Sequence, residues 1–61
     1  MDIYKETSVR KQFSRGYEFN IIVVNDGEQI DEKMFSKKTH QIEELLDFIN
    51  YNENSDYEVY L

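Results

Sequence analysis

Apolar side chains are densest from Tyr17 to Asn25. There Tyr17, Phe19, Ile21 and Val23 alternate with Glu18, Asn20, Ile22 and Val24. A period of two in aromatic and β-branched residues predicts a strand. One of its faces is polar at first and then becomes apolar, so the second half is expected at the sheet centre or at an interface. Asn25-Asp26-Gly27 follows. An Asp-Gly pair supplies the two positive-φ positions of a tight type I′ hairpin. Glu28 to Phe35 then reads as the return strand, with Ile30 and Met34 on one face. The charges of Asp31, Glu32 and Lys33 suit a sheet edge, where they discourage unwanted pairing.

The period changes after Phe35. Ile42, Leu45, Leu46 and Ile49 follow the i, i+3, i+4, i+7 rule, with Phe48 widening the stripe. This predicts an amphipathic helix over about Thr39 to Tyr51, capped by Thr39 or, with an earlier start, by Ser36. Asn52-Glu53-Asn54-Ser55 is expected to end it. Asp56 to Leu61 alternates again, with Tyr57, Val59 and Leu61 on one face, and reads as a last strand.

The first sixteen residues carry a thinner pattern. Val9 and Phe13 are spaced for one helical turn, yet Val9, Lys11 and Phe13 also share a strand face. They read as an arm or a short extra strand. Ser14-Arg15-Gly16 reads as a turn, since Gly16 takes positive φ without a Cβ penalty. The expected fold is therefore α+β. A basic N-terminal arm over residues 1–16 precedes a ββαβ domain over residues 17–61. That domain is a three-stranded, mainly antiparallel sheet with one covering helix. Its uncovered face would hold Ile22, Val24 and Tyr60. A chain this short buries only about 60% of its unfolded surface, so a second copy on that face, a homodimer, is expected.

Charge sharpens the division. Lys5, Arg10, Lys11 and Arg15 oppose only Asp2 and Glu6 in the arm. After Gly16, eleven carboxylates face three lysines, a net charge of −8 within a chain of net charge −6. Such a surface repels nucleic acid and steers toward basic partners. Arg10, Lys11, Phe13 and Arg15 are the residue types that touch phosphates and stack on bases. Four cations do not offset the acidic module at longer range, so no direct nucleic-acid binding is expected.

Chemistry is sparse. Without cysteine there are no disulfides and no thiolate metal sites. His40 is the single histidine. On a helix it would share a face with Glu43 or Glu44, but it reads as a solvated residue at the helix start. The serines lack a paired base, and Gly16 and Gly27 make no phosphate loop. The expectation is a protein that is not an enzyme and uses no metal or cofactor. No apolar run approaches the roughly 20 residues of a membrane span, and a cytoplasmic protein is expected.

Glu43, Glu44 and Asp47 share the polar side of the predicted helix. Side chains four apart on a helix lie about 6 Å apart along the axis, a length scale similar to that of phosphates along one strand. Joined by Asp31, Glu32, Glu53, Asp56 and Glu58, they form the candidate partner-binding set. Over residues 17–61 the chain resembles the small acidic inhibitors that bacteriophages encode against host DNA-acting enzymes. The resemblance lies in length, charge, element order and the stretch Phe19 to Gly27 followed by the helix Ile42 to Ile49. Two types are similar: the uracil-DNA glycosylase inhibitors, which are DNA-mimicking dimers, and short anti-CRISPR proteins that block the type II guide-RNA nuclease. The resemblance implies an inhibitor whose carboxylates fill the basic groove of a nucleic-acid-binding enzyme. The alternative is a small regulatory or dimerisation protein, such as an antitoxin-like partner or a subunit of a larger assembly, acting through its apolar strand face.

Overall fold

A computed structural model describes all 61 residues. The elements are α1 (Ile3–Ser14), β1 (Phe19–Asn25), β2 (Glu28–Phe35), α2 (Ile42–Asn54) and β3 (Glu58–Tyr60). The strands form one antiparallel sheet in the order β2-β1-β3, so the most apolar strand is central. The α+β class and the covered three-stranded sheet agree with the alternation of the sequence. Asp26 and Gly27 have φ of 51° and 78°, the two positive values a type I′ turn requires. The register then slips between Val23 and Val24. Asp31 faces Val23 and Gln29 faces Val24, leaving Ile30 as the extra residue of a bulge. From Asp31 to Phe35 the pairing with β1 is regular, and the alternation is interrupted only at Ile30.

One face of the sheet carries the core. Phe19, Ile21 and Phe35 are buried with Leu45, Leu46 and Ile49 of α2. Val59 of β3 lies opposite Val23 and packs against the same cluster. Lys33 lies opposite Ile21 and therefore on this face. Its ammonium sits 5.3 Å from the ring centre of Phe35 and 5.6 Å from that of Phe48. The charged head stays in water while the stem covers apolar surface.

The N-terminal residues are neither a loose arm nor an extra strand. They form α1, and its Val9 and Phe13 belong to the core cluster. The four-residue spacing of this pair resolves as one helical turn facing inward. Asp2 caps the helix by accepting a hydrogen bond from the Lys5 N–H at 2.8 Å. Glu6 pairs with Arg10 one turn on, at 3.2 Å. The Met1 ammonium lies 2.9 Å from a Glu53 carboxylate oxygen and donates to Asn50 Oδ1 at 3.3 Å. The start of α1 is thus tied to the end of α2. The boundary at Gly16 is a helix stop inside one unit.

Both helices stop in the same way. The Gly16 N–H donates to Phe13 O and the Tyr17 N–H to Gln12 O. The Asp56 N–H donates to Glu53 O and the Tyr57 N–H to Asn52 O. These are Schellman motifs, which place one residue in the left-handed region. Gly16 fills that position at φ 93° and Asp56 fills it at φ 64°. The string Asn52 to Ser55 therefore does not break α2. Asn52 is buried and its side-chain amide donates to Phe48 O at 2.8 Å. The start of α2 also differs from expectation, because Gln41 occupies the cap position. Thr39 turns back to contact Ser36 instead.

Three stability outcomes follow from these contacts. Removing residues 1–16 takes Val9 and Phe13 out of the core and is expected to abolish cooperative urea unfolding. Phe13→Ala alone should cost about 3–5 kcal/mol. Asp56→Gly should stabilise by up to about 1 kcal/mol, because glycine holds positive φ without strain. Both point variants are checked by urea denaturation followed by circular dichroism.

Candidate functional site

The carboxylates of the candidate set divide between two sides of the molecule. Glu43, Glu44 and Asp47 are exposed on the outer face of α2, opposite the buried Leu45, Leu46 and Ile49. The amphipathic period of the helix dictates this arrangement. None of the three makes an ion pair. Glu44 has a local task, since its Oε2 accepts the Gln41 N–H at 2.7 Å. That contact satisfies a backbone donor at the helix start, where negative charge is also favoured by the dipole. Tyr51, four residues after Asp47, is also exposed on this helix.

The remaining acidic residues have separate settings. Asp31 lies opposite Val23, hence on the α2 side of the sheet, and accepts the Glu32 N–H at 2.8 Å. Glu32 lies opposite Ile22 on the other side. It accepts from Asn20 Nδ2 at 2.7 Å. Glu58 lies opposite Val24 on that same open side. Glu53 is half-buried and is taken up by the Met1 ammonium. Asp56 serves the helix stop. The eight carboxylates therefore do not form one continuous row.

The open face of the sheet joins apolar and acidic groups. Ile22 and Val24 are half-buried at its centre. Across them lie Tyr60, 53% exposed and opposite Ile22, and Met34, 54% exposed and opposite Asn20. The Tyr60 hydroxyl donates to Glu58 Oε2 at 2.7 Å. That hydrogen bond, and the charge of the same carboxylate, raise the phenol above its ordinary pKa. No lysine or arginine lies opposite β1 on this face. Ile22, Val24 and Tyr60 thus share one surface that neither helix covers, as alternation predicts. Met34 belongs to it too. Its place was not readable from its own strand and follows from the hairpin register.

His40 precedes α2 and is turned onto the ring of Phe35, with centroids 4.7 Å apart. Its Nδ1 lies 2.9 Å from Thr39 Oγ1. It therefore does not share a helix face with Glu43 and Glu44. No group of three or more His, Asp or Glu side chains converges on a point that would hold a metal ion. The three surface depressions of the molecule are shallow and open. The one beside His40 is bordered by Arg10, Phe13 and Lys37. No helix is long and apolar enough to cross a membrane. No protein-family model, curated protein or solved structure matches the chain.

The helix carboxylates separate by role. Glu43→Gln with Asp47→Asn should leave the unfolding midpoint within about 0.5 kcal/mol of the parent. Glu44→Ala should cost about 1 kcal/mol by removing the acceptor at the helix start. Urea titrations of the two variants check the difference.

Proposed function

We propose that this protein is a small acidic binding module. It inhibits a DNA- or RNA-acting enzyme by occupying the enzyme's basic nucleic-acid groove. One observation supports this reading above the others. Of the eleven carboxylates after Gly16, none forms an ion pair with a lysine or arginine side chain. Clustered like charge destabilises a compact chain through self-repulsion. A basic groove relieves that repulsion and gains charge-assisted hydrogen bonds of about 1.5–3 kcal/mol each. Glu43 and Asp47, one turn apart and free of structural duty, are its leading contacts. Glu44 adds charge beside them. The role fits a phage-encoded protein acting in the host cytoplasm, and it requires neither catalysis nor a cofactor.

A second reading rests on the open sheet face. There Ile22, Val24, Met34 and Tyr60 form an apolar centre that supports homodimerisation or docking in a larger assembly. The two readings differ in the sign of their salt dependence. Groove binding weakens as salt screens opposite charges. Two copies meeting through this face would bring Glu32 and Glu58 together without a cation, so their association strengthens with salt.

Uracil excision by uracil-DNA glycosylase and DNA cleavage by a type II guide-RNA nuclease provide the direct assays. Inhibition of either is expected, falling steeply with added salt. Glu43→Gln with Asp47→Asn should weaken it by about tenfold or more. Equal inhibition by parent and variant would rule out the helix face. Sedimentation across the same salt series reads the second mode.

A further inference from the structure

The carboxylates of the open sheet face have fixed places around its apolar centre. Glu32 stands on β2 directly opposite Ile22, and Glu58 stands on β3 directly opposite Val24. Neighbouring strands lie about 4.8 Å apart, and successive residues on one face lie about 6.8 Å apart. The two carboxylates therefore leave the sheet roughly 12 Å from each other, on a diagonal across Ile22 and Val24. Asn20 Nδ2 donates to Glu32 at 2.7 Å, and the Tyr60 hydroxyl donates to Glu58 at 2.7 Å. Both donors are neutral, so they orient the carboxylates without cancelling their charge. Lys33, the cation of β2, lies on the α2 side. At the sheet edge Lys5 and Glu18 border one depression beside Ile22 and offset each other in formal charge.

These features select an occupant. A second copy would set Glu32 and Glu58 against the same two groups, and juxtaposed like charges oppose association. An anionic lipid surface is disfavoured for the same reason. An α-helix with its side chains is about 10–12 Å across. Laid along β1, it would rest its apolar stripe on Ile22 and Val24 and bring its two flanks over the two carboxylates. Helix α2 already closes the other face in this way, through Leu45, Leu46 and Ile49. Strand β1 is seven residues long. That is roughly 24 Å, the length of a helix of about 16 residues.

We propose that the open face binds a basic amphipathic helix of a partner protein. The helix packs leucine or isoleucine at i, i+3, i+4 and i+7 onto Ile22, Val24, Met34 and Tyr60, a helix-on-groove mode of recognition. A lysine or arginine on one flank pairs with Glu32. Another on the opposite flank, about one helical turn along, pairs with Glu58. The proposal rests on the docking reading of this face and supplies its partner chemistry. The α2 carboxylates take no part in it.

The probe is a helical peptide of about 16 residues, acetylated and amidated at its ends. It carries the leucine stripe, lysine on both flanks, and alanine and glutamine elsewhere. Titrated into the 15N-labelled protein, it should shift the resonances of Ile22, Val24, Glu32, Met34, Glu58 and Tyr60. A peptide of the same composition with its leucines scattered keeps the charge but loses the stripe. A third peptide with glutamate on the flanks keeps the stripe but reverses the charge. Each should bind at least about tenfold more weakly, the loss of one charge-assisted contact or more. Glu32→Lys with Glu58→Lys should reverse the preference, losing the lysine peptide and accepting the glutamate peptide. Both carboxylates are exposed, and should the variant unfold, the two control peptides against the parent still decide. The proposal is overturned by shifts centred on Glu43 and Asp47, by no shifts up to about 1 mM peptide, or by equal binding of the scattered peptide. Equal binding of the glutamate peptide at the open face also overturns it, while docking on that face would stand. Sedimentation separates the remaining case. Self-association of the free protein that Tyr60→Lys abolishes would give the face to a second copy and overturn the helix.

Discussion

Closure of the core by α1 is the constraint on which the other contacts rest. Val9 and Phe13 bring a second helix into a cluster that otherwise holds six buried side chains from β1, β2 and α2. A 61-residue chain without cysteine has no covalent means of compensating for a thin core. Its remaining ties are short and local: the Asp2 cap, the two Schellman stops, and the Met1 ammonium held by Glu53 and Asn50. Each fixes an end of a helix whose apolar stripe then meets the sheet. Because both helices pack on one side, the other side of the sheet stays open.

The same economy governs charge. Arg10 pairs within its own helix, Lys33 lies over the Phe35 and Phe48 rings, and Lys37 donates to Ser14 O at 2.9 Å. These cations serve α1, the core face and the loop between β2 and α2. None reaches a carboxylate of the acidic segment after Gly16. Surface ion pairs are worth only about 0–1 kcal/mol, so the fold sacrifices little stability by leaving the carboxylates unpaired. What it retains is an unneutralised negative charge over that segment.

The strands were legible because their signals are local. Alternation in β1 and the Asp26-Gly27 turn each state a backbone conformation within a few residues. Helix α2 was legible from a stripe four residues deep. Helix α1 was not, because Val9 and Phe13 are its only buried residues and a pair four apart fits a turn of helix as well as nearby strand positions. The choice is made by the core they enter, which is tertiary information. The end of α2 was missed for a related reason. Asn and Ser favour turns on average, yet Asn52 is buried and bonded to Phe48 O, and Asp56 tolerates positive φ at the stop. The bulge at Ile30 is likewise a property of two strands in register. The faces of Asp31 and Glu32 depended on it, whereas the outward side of Glu43, Glu44 and Asp47 was legible in the helix stripe.

That division limits how a single partner can use the surface. The carboxylates Glu43 and Asp47 look away from the sheet, while Glu32, Glu58 and the apolar centre at Ile22 look away from the helices. A rigid groove that receives α2 leaves the open sheet face in water.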